Sequence, residues 1–451
     1  MDVAFRTRVG AGAVALAILL VAGVVAVAVA EGIPSGSVAA EPIRDRSGAT
    51  DPTREANGPD RAARAEKKAP RLVGVDGGPD YYGRFSHSLP TSPSFFPVGV
   101  WGAYDMTAGN VALDKAVGLN TYVWFADTTT SGFVANARRA GMHLIVNRGE
   151  GGSQIGSETF GRLLDDEVDM TQGADACPRA VDKAKGSLPK DGRARYANYG
   201  KGVLVWGASG VDGHNDKTSA CFVNSQDITS TDLYWHTDPY QAGDRYSGLS
   251  SGYGWSMRRM RKLDAMDGRR SPQWGFVEVT NAMNGPWGAP EPAEIRSAVW
   301  HTLIAGARGV IYFQHDFEGD CVTHHALRES GSPCYGATVR AVRSVNRQIK
   351  RLSPVLNAPF VRGGYRLTDD APGKVRVSVK RAKGKVWVLA AADKGAGTAR
   401  FRMRCLGNAT AKVMFEGRSV SMRGGSFTDR FSSKDDVHIY RIDGGSSCGL
   451  R

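Results

Sequence analysis

The sequence predicts an α/β fold: a (β/α)8 or TIM barrel over residues 91–354, followed by a small antiparallel β-sandwich over residues 355–451. Three observations predict it. Short apolar runs alternate with helical segments from Phe95 to Leu352, the pattern of βα units around a parallel sheet. Eight such runs can be counted, the strand number that closes this barrel. After Pro354 the period switches to alternation, as in Val375, Val377 and Val379.

The chain begins with Arg6 and Arg8 before an apolar run from Val9 to Ala30, and Ala28-Val29-Ala30 fits a small-residue cleavage site. Residues 1–30 are therefore read as a secretory signal, or as an uncleaved membrane anchor, since the run approaches the ~20 residues that span a bilayer. Either reading puts the bulk of the chain outside the cytoplasm, secreted or on the outer face of the membrane. Residues 31–90 carry few large apolar side chains and are read as a disordered linker, with Asp80–Phe85 beginning to pack on the folded body.

The strands are expected at Phe95–Trp101, Thr121–Phe125, His143–Asn147, Arg162–Asp166, Gly202–Trp206, Ile228–Tyr234, Trp274–Val279 and Gly309–Phe313. Helices are expected at Thr107–Val117, around Phe133–Ala140, at Trp255–Met266, Glu294–Ala305 and Val339–Leu352. In the last region, Lys383-Gly384 reads as a turn between two strands, and His438–Ile442 as a further strand.

The 451 residues carry a net charge of +13. Lys and Arg are scattered and no nucleic-acid motif occurs, so the charge reads as a basic surface suited to anionic envelope polymers or to solubility, not as a nucleic-acid site. Six cysteines agree with an oxidising compartment and fall into sequence-local couples: Cys177 with Cys221, Cys321 with Cys334, and Cys405 with Cys448. No C-x-x-C, G-x-S-x-G or H-E-x-x-H occurs. His324-His325 lacks the spacing of a helical metal pair, and the acids Asp316, Glu318 and Asp320 lack an EF-hand loop, so no metal or cofactor is expected.

A barrel of this kind keeps its site at the C-terminal ends of its strands. That rule selects Trp101, Asp127, Asn147, Arg148, Asp166, Glu167, Trp206, Tyr234, His236, Glu278, Gln314 and His315. Aromatic faces stack on sugar rings and polar groups bind hydroxyls, so acids, amides and aromatics at one mouth suit a glycan. Taken singly, Trp206, Trp124 and Trp235 read as core, Glu167 as a helix-start acid and Glu278 as an outward ion-pair acid; it is their gathering at strand ends that favours chemistry.

The order of elements resembles the clan of retaining glycoside hydrolases built on a (β/α)8 barrel. Phe95–Trp101 (FFPVGVW) resembles the opening strand of beta-galactosidase-like members. Leu164–Asp169 (LDDEVD) resembles their "DEPD"-type ending of strand four. Glu294–Phe313 resembles their connection from strand seven to strand eight. The resemblance implies Glu167 as acid/base and Glu278 as nucleophile in cleaving a glycan or polysaccharide. It also marks a departure: many members place Asn before the acid, where this chain has Asp166. That exchange removes a neutral donor for the substrate 2-hydroxyl and sets a like charge beside the acid. The alternative expectation is a carbohydrate-binding or envelope-scaffold protein that keeps the barrel without turnover.

Overall fold

The structure is a computed structural model. It describes residues 69–125, 131–147, 155–171, 177, 182, 185–186, 188–204, 215–239, 245–285, 287–369, 375–404 and 406–443. The signal or anchor expected at 1–30 lies outside the described residues. Among those residues, no helix is long and apolar enough to cross a membrane.

The first strand, β1 (Arg71–Val73), belongs to the C-terminal domain. The next eight close a parallel barrel in chain order: β2 (Val98–Ala103), β3 (Thr121–Phe125), β4 (His143–Asn147), β5 (Thr159–Asp166), β6 (Ala194–Tyr199), β7 (Ile228–Thr231), β8 (Gln273–Glu278) and β9 (Gly309–Phe313). The described helices outside the barrel are α1 (Ala108–Ala116), α2 (Ser131–Arg139), α3 (Val168–Thr171), α4 (Asp216–Asn224), α5 (Ser251–Asp264), α6 (Pro292–Ile304) and α7 (Gly336–Leu356).

Two-residue alternation sorts the strand side chains into two cores. Val123, Ile145, Phe160, Leu163, Tyr196, Ile228, Trp274, Phe276 and Ile311 fill the lumen. Tyr122, Leu144, Leu164, Ala197, Tyr199, Val277, Val310 and Tyr312 face the helices, where they meet Ile295, Val299 and Trp300 of α6 and Val342, Val345 and Ile349 of α7. The filled lumen closes the middle of the barrel and leaves chemistry to its rims.

The fifth barrel strand corrects the sequence reading. It is Ala194–Tyr199, not Gly202–Trp206. The run Gly202–Leu204 looks more strand-like by hydropathy, but it forms a buried turn. Asp169 fixes that turn by accepting hydrogen bonds from the backbone N–H groups of Gly200 (3.0 Å) and Val203 (2.9 Å). The true strand carries Arg195 and Asn198, which lower its hydropathy, but Ala194, Tyr196 and Asn198 alternate inward as a barrel strand requires.

Order also begins before residue 91, which moves the linker boundary. Arg71–Val73 pairs antiparallel with residues 360–362. Tyr81–Arg84 forms a 3-10 turn whose Tyr81 hydroxyl donates to the Asp227 carbonyl at 2.6 Å and whose Tyr82 hydroxyl accepts from Trp274 Nε1 at 3.1 Å. Aromatic anchors on the barrel fix this segment despite its polar composition.

The C-terminal domain is an antiparallel sandwich. Its strands are β10 (Phe360–Arg362), β11 (Tyr365–Asp369), β12 (Val375–Ala382), β13 (Lys385–Ala392), β14 (Gly397–Met403), β15 (Ala409–Val413), β16 (Arg418–Met422), β17 (Ser426–Phe431) and β18 (Val437–Ile442). One sheet runs β1-β10-β12-β13-β18-β15-β16 and the other β11-β14-β17. β13 explains the layering. Its Val386, Val388 and Ala390 face the smaller sheet, while Trp387, Leu389 and Ala391 pack against the barrel helices. A strand covered on both faces reads as a continuous apolar run, as KVWVLAAA does. Polar clamps fix the domain on the barrel: His301 Nε2 meets the Ala392 carbonyl at 2.7 Å, Arg296 donates to the Val437 carbonyl at 3.0 Å, and Lys434 pairs with Glu294 at 2.6 Å.

Two expected disulfides are present, Cys177–Cys221 and Cys321–Cys334. Cys405 and Cys448 lie outside the described residues.

Candidate active site

Parallel strands deliver their last residues to one rim. At that rim, Asp166 ends β5 and Glu167 follows it; Asp232 follows β7; Glu278 ends β8. Orientation follows from alternation. Trp274 and Phe276 point into the lumen, so Glu278 does too, while Val277 faces the helices. An irregularity between Leu163 and Asp165 inserts one residue in β5, after which Asp165 opposes outward Ala197 and Asp166 opposes inward Asn198. Of the three consecutive acids, Asp165 is thus the one turned from the mouth.

Glu167 leaves the strand with φ +48°. Such a conformation costs about 1–3 kcal/mol for a residue other than glycine and collects at functional sites. Its N–H donates to the Asn198 carbonyl at 3.0 Å, which anchors the bend. Gly200 makes room for the side chain: a Cβ there would lie 3.0 Å from Glu167 Oε1 and 2.6 Å from Met170 Cγ.

The acids interact. Asn198 Nδ2 donates to Asp166 Oδ1 at 3.0 Å, and Ser230 donates to Asn198 Oδ1 at 2.7 Å. The Tyr234 hydroxyl donates to Asp232 Oδ2 at 3.4 Å. Burial raises the Glu167 carboxyl above its ordinary value; Asp169 raises it further, opposed by a hydrogen bond with Asp232 and by the Lys201 cation. The same two causes, burial and then the Glu167 charge, raise Asp232 and Asp166. The Asp166 side chain reaches solvent although protein surrounds it, and Asp165 and Asp169 add their like charges to burial and Glu167 in raising it. The Tyr234 phenol is raised well above its usual range by burial and then by Asp232, Glu167, Glu278 and Asp166. One hydroxyl therefore feels both glutamates, which belong to strands far apart in the chain.

Glu278 is fully buried. Tyr253 donates its hydroxyl to Oε2, and the His236 backbone N–H donates to Oε1 at 3.0 Å. Burial pushes the carboxyl up to about 7 against these hydrogen bonds. Burial thus raises both rim glutamates above the ordinary carboxylate range, a shift that suits proton donation.

The other expected residues divide. Tyr234 sits among the acids. Trp101 lies beneath them, its ring 5.3 Å from those of Trp124 and Phe276. Asn147 is half-buried at the end of β4. Tyr234 and His236 lie in the loop beyond β7, which ends at Thr231. The His236 imidazole stacks on Tyr253 at 5.5 Å and meets Ser250 at 3.2 Å, while its backbone amide donates to Glu278. Gln314 is fully buried, and its Oε1 accepts the Leu327 N–H at 3.4 Å. His315 is buried with Nε2 3.0 Å from the Trp101 carbonyl and acts as support. Asp127, Arg148 and Trp206 lie outside the described residues.

Sequence reading missed Asp232, Asn198, Tyr253 and Lys201. Asp232 had a signal: it continues the inward set Ile228, Ser230 by two residues. Asn198 was lost with the misplaced fifth strand. Tyr253 sits in the first turn of α5, and only packing brings it to Glu278. Among the described residues, no three His, Cys, Asp or Glu side chains are grouped to hold a metal ion.

No protein-family model matches the chain, and no curated protein matches it. Solved structures do. A maltogenic alpha-amylase from Thermotoga neapolitana is similar at 10% identity and TM-score 0.45, covering 78% of this chain and 99% of that one. A GH30 endoxylanase from Clostridium papyrosolvens is similar at 11% identity and TM-score 0.42, covering 84% and 100%. An alpha-L-arabinofuranosidase from Thermotoga maritima is similar at 11% identity and TM-score 0.45, covering 83% and 99%. At this identity, function has to be argued from the side chains at the rim.

Proposed function

We propose that this chain is a glycoside hydrolase acting on a glycan or polysaccharide through a retaining two-carboxylate mechanism. The observation that supports the reading is that β5 and β8 of one parallel barrel deliver Glu167 and Glu278 to the same C-terminal rim, where both charges raise the Tyr234 phenol. Glu167, raised by burial, is protonated and gives its proton to the glycosidic oxygen as that bond breaks. Glu278, its anion held by Tyr253 and the His236 amide, attacks the anomeric carbon and forms a glycosyl ester. Glu167, now ionised, takes a proton from water; the water oxygen attacks the same carbon, releasing the sugar and restoring Glu278.

Asp166 fits this scheme through its raised carboxyl. In the neutral form it offers an O–H toward a sugar hydroxyl, which restores the donor that Asn supplies in the resembled family. The N-terminal apolar run and the two disulfides support secretion or surface tethering of the enzyme.

The test is a panel of aryl glycosides and cell-wall polysaccharides, with the anomer of the first product followed by NMR. Retention of configuration is expected, with hydrolysis of unactivated substrates lost in Glu167→Gln. An inverted product would refute the nucleophile assignment, and full activity of Glu167→Gln the acid assignment. Binding without hydrolysis across the panel would favour the scaffold reading.

A further inference from the structure

The lumen-facing side chains of β9 do not stop at the acids. Ile311 and Phe313 point inward, and the same two-residue step continues through His315 to Phe317. The rings touch in series. Tyr234 and Phe313 have centroids 5.1 Å apart, Phe313 and His315 5.1 Å, and Phe313 and Phe317 6.3 Å. His315 backs Phe317 in parallel, with planes 5° apart and centroids at 5.8 Å. An aromatic track thus runs from the carboxylates to the edge of the barrel.

Its outer end is open. Phe317 is 42% exposed. Trp287 and Val322 are also exposed, and all three lie in the loops that follow β8 and β9. Asn284 Nδ2 donates to Glu318 Oε2 at 2.8 Å, tying those loops together. The platform is held rigidly. Asp316 and Thr323 exchange backbone hydrogen bonds of 2.8 and 2.9 Å. Tyr335 donates to Asp316 Oδ2 at 2.7 Å, and Cys321–Cys334 closes the loop. His315 is fixed beneath by Trp101 and by Gly102, where a Cβ would come within 2.8 Å of Nε2.

An exposed flat ring, backed by a second ring and continuous with the acid site, matches the apolar face of a sugar ring. Holding it in place beforehand removes the ordering cost of binding. We propose that Phe317 is the platform of an outer subsite that binds a sugar unit of the same chain whose bond is cleaved between Glu167 and Glu278. The substrate class is then an oligosaccharide or polysaccharide that extends past the cleavage point, not a simple monoglycoside. This rests on the glycosidase reading for the position of cleavage, but the subsite itself is a binding claim.

The test uses the full chain with Glu278→Gln, with and without Phe317→Ala, titrated calorimetrically with xylo-, cello-, malto- and galacto-oligosaccharides of increasing length. In parallel, Phe317→Ala and Phe317→Trp in the otherwise native chain are assayed on aryl monoglycosides and on the same ladder. For one ladder, affinity is expected to rise with length, and Phe317→Ala to lose about tenfold for the longer members, as for truncation of an aromatic binding anchor. Phe317→Ala lowers kcat/KM on the longer members far more than on aryl monoglycosides, and Phe317→Trp keeps the length dependence. Equal affinity with and without the ring, or no ladder bound at all, overturns the subsite. Ring-dependent binding with no hydrolysis by the native chain leaves the subsite standing and refutes the glycosidase reading instead.

Discussion

Replacing Glu278 by Gln separates the site's chemistry from its cost in stability. Glu278 ionises at about 7 in the folded chain, against an ordinary value of 4.5, because burial disfavours its charge. The unfolded chain releases this proton near 4.5 and the folded chain only near 7. Between those values the folded state binds more protons, so stability falls as pH rises through the window and is level above it. The full difference corresponds to about 3 kcal/mol. Gln is never charged and carries no such penalty. Its Oε1 accepts from the His236 N–H, while the Tyr253 hydroxyl loses the acceptor for its proton, a cost that does not change between pH 5 and pH 8. Glu278→Gln should therefore gain about 2–3 kcal/mol more over the parent at pH 8 than at pH 5, while hydrolysis falls at least about 10³-fold. Urea unfolding followed by tryptophan fluorescence at the two pH values measures this, since Trp274 is buried in the lumen. A stability difference independent of pH would refute the claim that Glu278 is a desolvated carboxyl aimed into the closed site.

Three further outcomes follow from the same geometry. Activity should be bell-shaped around neutrality: the acid limb reports protonation of Glu278 near 7, and the alkaline limb loss of the Glu167 proton. Lys201→Met removes a cation that favours the Glu167 anion, so the alkaline limb of the kcat/KM profile should move to higher pH; a downward move would contradict the assignment. Removing Cys177–Cys221, which joins residues 44 apart, should cost about 4 kcal/mol by loop-closure entropy, and removing Cys321–Cys334, 13 apart, about 3 kcal/mol. Calorimetry on the paired Ser variants checks that order, and the second pair should also weaken oligosaccharide binding through the Phe317 loop.

The sequence by itself determined the architecture, because periodicity is local. Seven of the eight barrel strands overlap the runs that alternation and length pick out, and the switch at Pro354 marks the sandwich. It also determined Glu167 and Glu278 as candidates, since a carboxylate ending an apolar run is conspicuous wherever the strand goes. The couples Cys177–Cys221 and Cys321–Cys334 followed from proximity along the chain.

Tertiary structure decided what depends on neighbours. Barrel closure chose Ala194–Tyr199 over a more apolar run, because pairing between β5 and β7 outweighs hydropathy. An inserted residue in β5 decided which of three adjacent acids faces the mouth, and register is a property of two strands, not of one. Packing set the His236 ring against Tyr253 and brought the Tyr253 hydroxyl from a helix to Glu278. The carboxyls are raised because these residues, remote in sequence, exclude water together; no stretch of chain carries that information alone.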